Sequence, residues 1–196
     1  MQFLEKSDQS KILQAQWTYS KKGDVPKIRA ELLNEQQGFC AYSEAYINEI
    51  DSPEVDHFDG NLKYTSEDGY WNWYAVKRWM NQHKSRSIKD FQPLLCPYAP
   101  DLKQRIKYES GEFLPINPSD EAAKNLIAYL LWNSPKLVNV RRKQVKRIRQ
   151  IYSFYSDDRE GFYQDLLSDP DNLSFFSALQ AEFDLPEDLL NRLEPA

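Results

Sequence analysis

Asp56 beside His57, Asn72, Asn81, and then His83 and Lys84 form the one set of residues in this chain whose types and spacing suit chemistry. A carboxylate and a carboxamide oxygen are hard donors, suited to a small divalent cation that keeps several waters and binds a phosphate as well. On a strand, successive side chains face opposite ways. Asp56 can therefore hold a metal while His57 meets a water on the other side of a phosphodiester. An imidazole with an ordinary pKa of about 6.5 is a fitting general base for that water at neutral pH. The metal would stabilise charge on the phosphorane and on the departing 3′ oxygen. By residue type alone, the same set also fits a histidine packed under Trp71, Trp73 and Trp79, with either Asn serving a turn or a cap.

Positioning such a set takes a strand, a loop, a second strand and a helix, and the chain reads in that order. EVDHF alternates like a strand, DGNLKYTSEDG is a polar loop, YWNWYAV is aromatic and β-branched, and Lys77 to Arg86 favours helix. Ahead of this, Pro26 opens a helical segment carrying Ile28, Leu32 and Leu33, which ends at Gly38. Phe39 to Phe58 reads as a short hairpin element, turning at Asp51-Ser52-Pro53. Prolines make 93–118 mostly loop, with a hairpin around RIKYESGEFLPI. Ser119-Asp120-Glu121 starts a helix through AAKNLIAYLLW. A second helix follows from about Lys136 to Tyr155, with Leu137, Val140, Val145, Ile148, Ile151 and Tyr152 as its inner stripe.

GFCAYSEAYI, EVDHFDGN and YWNWYAVKRWMNQHKS together resemble the HNH endonuclease pattern. The likeness extends through KYESGEFLP, an Ala-rich helix and a basic helix, over about residues 26–150. It is similar to the HNH nuclease subunits of bacterial anti-phage defence systems of the Septu and retron-associated type. The resemblance implies that Asp56 is the acidic metal ligand, His57 the general base, Asn72 the Asn that supports the loop and the base, and Asn81 the metal ligand on the helix. Lys84 falls on the family's Lys, where a phosphate contact is the natural role. His83 is read as a phosphate contact or a surface residue, because i and i+2 do not share a helix face with Asn81. Members with two C-x-x-C pairs clamp a structural zinc. Here Cys40 is the only remnant, with Ser43, Lys77 and Met80 at the other positions, so no structural zinc is expected. Aromatic packing from Phe39, Tyr42, Trp71 and Trp79 is expected to hold hairpin to helix instead.

The resemblance implies an α+β fold with a ββα-metal core at residues 39–92, following a helical segment at 1–38. A loop, hairpin and basic helical extension follows at 93–156, and an acidic helical tail at 157–196. The implied function is hydrolysis of phosphodiester bonds in DNA, or in RNA such as tRNA, with one Mg²⁺ or Mn²⁺. The implied partner is an ATPase subunit of the same defence system. Two rivals stand beside it: a catalytically inactive HNH-like scaffold that binds nucleic acid or a partner, and a purely structural subunit.

Composition sets the remaining bounds. The 196 residues, 14% of them aromatic, carry too much apolar surface for a disordered chain. No apolar run approaches a bilayer span, and no secretory signal opens the sequence, so a cytoplasmic protein is expected. The formal charge of −5 is uneven, because eleven acidic residues face two basic ones from Asp157 onward, a net of −9. Between Lys136 and Gln150 lie seven basic residues and no acid. A helix puts Arg142, Lys146 and Arg149 on one face, able to lie along a phosphate backbone or to pair with the tail. The tail is read as a mask over that helix or as a dock for the ATPase.

Overall fold

Ser10 caps the short helix α1 (Lys11–Gln14), its hydroxyl accepting from Ile12 N, and Pro26 sits in the first turn of α2 (Val25–Glu35). The computed structural model describes residues 2–48, 50–155 and 157–193 of this α+β chain. Two strands, β1 (Pro53–His57) and β2 (Trp73–Lys77), pair antiparallel with Asp56 opposite Tyr74 and His57 opposite Trp73. β2 runs directly into α3 (Arg78–His83).

A two-stranded ribbon alone is marginal in water, and this one is covered on both faces. Val55, Trp73 and Ala75 pack with Ile12, Ile28 and Leu32 from α1 and α2. Tyr74 and Val76 turn the other way, into a core with Phe58 and Met80. Short α4 (Leu102–Arg105) leads into the hairpin β3 (Ile106–Glu109) and β4 (Glu112–Pro115). Its turn places Ser110 at φ 50° and Gly111 at φ 100°, the double left-handed geometry that matches strand twist. Asp120 caps α5 (Glu121–Tyr129) by accepting from Ala123 N at 3.0 Å. Leu126 and Tyr129 of α5 complete the core behind β2.

Three expectations are corrected. Among the described residues of 39–58, only Phe39 and Tyr46 bridge to each other, because the chain closes a tight turn in which Glu44 N donates to Cys40 O; EVDHF takes β2 as its partner instead. α6 runs Pro135–Tyr152, and Val140 is 36% exposed, whereas Val138 and Arg141 are buried. Arg141 turns inward because its guanidinium reaches Gly111 O at 2.6 Å and Trp132 O at 3.1 Å over the Phe113 ring. Trp71, expected in the core, is 37% exposed and meets Tyr70 and Tyr98.

The acidic segment is part of the body of the molecule. Phe162 and Leu166 of α7 (Arg159–Leu167) and Phe176 and Leu179 of α8 (Phe176–Phe183) bury with Val145 and Ile148 of α6. Arg149 of α6 pairs with Glu182 at 2.6 Å, and Arg147 lies 3.9 Å from Asp171. Its removal would strip α6 of core. Among the described residues, no helix is long and apolar enough to cross a membrane.

Candidate active site

Among the described residues β1 pairs with β2 alone, and its residues from Pro53 to His57 line a cleft of about 730 Å³. Asp56, His57, Asn81 and Lys84 all line it. Strand alternation sends the first two to opposite faces of the ribbon. Asp56 points toward Tyr42, whose hydroxyl donates to Oδ2 at 2.7 Å, and toward Lys84, whose Nζ lies 3.2 Å from the same oxygen. His57 points toward Tyr19, which meets its ring edge-on at 4.5 Å, and toward Asp68, whose Oδ2 is 3.2 Å from Nε2. Asp68 is itself anchored, accepting from Trp73 Nε1 at 2.6 Å and Tyr64 N at 3.1 Å.

Asn72 acts on the backbone. Its Oδ1 accepts from Asp59 N at 2.8 Å, its Nδ2 donates to Asp59 O at 3.1 Å, and its carbonyl accepts from Phe58 N at 2.7 Å. Three bonds thus fix the chain just after His57. Asn81, on α3, lines the cleft and donates from Nδ2 to Glu54 Oε2 at 2.7 Å, while its Oδ1 has no hydrogen-bond partner among the described residues. Glu54 is held in turn by Arg78 at 2.8 Å.

Lys84 departs from its expected role as a phosphate contact. It is 6% exposed, and Nζ donates to Phe58 O, Ser85 O and the Tyr129 hydroxyl at 2.9–3.1 Å, besides meeting Asp56. An ammonium has three protons, and these partners use them, so Lys84 ties α3 to the loop after β1 and balances the aspartate. His83 donates from Nδ1 to Trp79 O at 2.8 Å and stacks on the Trp79 ring, exposed and outside the cleft lining. Arg142, Lys146 and Arg149 are exposed on α6 and do not line the cleft either. Arg142 donates to Ser110 O at 2.8 Å, and Arg149 is spent on Glu182.

Electrostatics follow from burial. Burial pushes Asp56 upward, opposed by Lys84 and the Tyr42 hydrogen bond, and pushes Lys84 downward, opposed by Asp56. The close contact favours the charged pair. Burial also lowers His57, against the pull of Asp68, which keeps the imidazole neutral at neutral pH. With Nε2 facing Asp68, Nδ1 is the nitrogen left to take a proton.

Asp56 and Asn81 both line the cleft, and a carboxylate and a carboxamide oxygen are the donor types a hard divalent ion takes when it keeps most of its water. Lys84, sharing that carboxylate, weakens the hold. Among the described residues, no group of three or more His, Cys, Asp or Glu side chains could hold a metal. Cys40 is buried and its Sγ accepts from Lys77 N at 3.3 Å. Beside it, the buried amide of Gln36 joins the turn to β2, bonding Ala75 N, Ala75 O and Phe39 O at 2.7–2.9 Å.

Sequence reasoning missed several members of the site. Asp68 sits in a polar loop whose path no spacing rule fixes, and Tyr42 reaches Asp56 from a different turn. Arg29 of α2, Lys63 and Arg86 also line the cleft, all exposed, and none of them forms an ion pair among the described residues. Lys63 Nζ lies 4.9 Å from the Tyr19 ring centre. Three separate segments supply these cations, so no basic run announces them. Compared with protein-family models, curated proteins and solved structures, the chain shows no match.

Proposed function

We propose that the chain is a metal-dependent endonuclease of HNH type that hydrolyses phosphodiester bonds in nucleic acid. The observation that carries this reading is that Asp56, His57 and Asn81 line one cleft together with the exposed cations Arg29, Lys63 and Arg86, which have no ion pair among the described residues. Those cations suit backbone phosphates on either side of the scissile bond. His57, neutral and oriented through Nε2 by Asp68, takes a proton from the attacking water at Nδ1. Asn72 keeps the following backbone fixed, so the imidazole does not drift from its line of attack. The Asp56 carboxylate and Asn81 Oδ1 would hold Mg²⁺ or Mn²⁺, which when bound supplies positive charge to the phosphorane and the departing 3′ oxygen. The product is a 5′ phosphate. The ATPase partner rests on the family resemblance alone.

The Lys84 ammonium on Asp56 favours a second reading, an inactive scaffold that retains nucleic acid without cutting it. A nicking assay on plasmid and on structured RNA, with Mg²⁺, Mn²⁺ or chelator, separates the two. The nuclease reading expects cleavage that chelator abolishes. It also expects His57→Ala to lose at least about 100-fold in rate while keeping a folded circular-dichroism spectrum and nucleic-acid retention. Salt-sensitive retention with no cleavage under any metal would leave the scaffold, and full activity of His57→Ala would refute the assigned base.

A further inference from the structure

On the other side of the loop that follows His57 lies a second cavity, of about 370 Å³. His57 and Gly60 face the cleft, whereas Phe58, Asp59 and Leu62 face this cavity, so the wall between them is a single chain thick. The wall is pinned from both directions, by Asn72 on Asp59 and by Gly60 N donating to Arg86 O at 2.8 Å. At its mouth stand Trp71 and Tyr98, 37% and 39% exposed, with ring centres 5.2 Å apart and planes tilted by 49°. Side by side on one cavity, the two rings offer adjoining aromatic faces of the kind on which a base stacks.

We propose that this cavity takes one nucleobase of the strand whose adjoining phosphate occupies the Asp56–His57 cleft. The inference deepens the nuclease reading and rests on it for the phosphate, while the base contact stands on its own geometry. Flat π-faces stack on Trp and Tyr whatever the base, so the slot grips an unstacked nucleotide rather than a duplex. Leu94, Leu95 and Ile88 give it an apolar floor. Glu67 lies at the edge, able to accept from an exocyclic amino group. Gln92 lies there too, with one Nε2 proton on Ile88 O at 3.2 Å, so that its second N–H and Oε1 are left to meet a base edge. The substrate class this implies is single-stranded or locally unpaired nucleic acid, in which a base can leave its stack at low cost.

The test measures binding of short deoxy- and ribo-oligonucleotides, without metal, to the full chain carrying His57→Ala. Each oligonucleotide carries 2-aminopurine or an abasic site at one position, read by fluorescence. An abasic site at one position is expected to weaken binding about tenfold, and Trp71→Ala to weaken binding of the intact oligonucleotide by a similar factor. In Trp71→Ala the abasic site should then cost nothing further. Comparing the two sugar series assigns the strand as DNA or RNA. The abasic arm needs no mutation at the slot, so a misfolded variant leaves it readable. Affinity unchanged within twofold at every abasic position would overturn the slot even if the chain cleaves. Position-dependent loss with no cleavage by the wild-type chain would uphold the slot and refute the nuclease.

Discussion

Replacing Gly60 by Ala tests the wall between the two cavities directly. A Cβ at this position would lie 2.8 Å from the Arg86 carbonyl oxygen and 3.4 Å from Arg86 Cβ, and the first approach is closer than side-chain carbons tolerate. The oxygen is main chain and is also the acceptor for Gly60 N, so it cannot swing aside as a side-chain tip would. The two segments must part. Overpacking of this kind costs about 1–3 kcal/mol and a weakened hydrogen bond about 1 kcal/mol. The stiffer unfolded chain returns about 0.5–1 kcal/mol. The balance is a loss of about 2 kcal/mol, which for a chain of this size lowers the melting temperature by about 4–8 °C. Gly23 is the control, because a Cβ there would meet nothing within 4 Å. Urea and thermal unfolding of both variants, followed by circular dichroism, give the comparison. Gly60→Ala as stable as Gly23→Ala would show that the loops are not clamped as described. Because the segment that moves carries His57, cleavage should fall at least about tenfold in the Gly60 variant alone.

Arg141→Leu leaves Gly111 O and Trp132 O without their buried donor and is expected to cost about 2–4 kcal/mol in urea unfolding; a cost under about 1 kcal/mol would mean that the guanidinium adds little there. Lys6 carries the pH dependence. Its Nζ donates to Trp73 O at 2.5 Å between the Tyr70 and Tyr74 rings, and burial, opposed by Glu35, lowers it from 10.5 to about 7. Between those two values the unfolded chain holds more protons than the folded one, so this group makes stability rise with pH across that window and leaves it flat below. Wild type measured against Lys6→Met should gain up to about 1.4 kcal/mol per pH unit from pH 7 to 10. A difference that does not change with pH would refute the buried amine.

What could be read from the sequence was whatever depends on neighbours along the chain. Asp56 and His57 diverge because a strand alternates, the hairpin around RIKYESGEFLPI is announced by its residues, and Asp120 caps a helix by a local rule. Contacts across the chain were not legible. Lys84 looks like a surface lysine until α5 brings the Tyr129 hydroxyl to it, and Arg141 looks like part of a basic face until the β3–β4 turn offers it a carbonyl. In both, a long cation was assigned outward by type, whereas packing decided otherwise.

The same distinction bears on function. A buried ammonium and a buried carboxylate in contact are costly to assemble and add little net stability over an apolar pair. Here the pair sits beside a buried imidazole–carboxylate contact and opens on a polar cleft, while three exposed cations on the same cleft have no acidic partner among the described residues. A chain selected for stability alone would neutralise the rim and fill the interior with apolar groups. Keeping the reverse arrangement is intelligible if an anion completes it, with phosphate balancing the rim and a divalent ion sharing Asp56 with Lys84. Affinity for that ion should therefore rise when phosphate backbone is bound, because the anion offsets the charge that Lys84 already contributes.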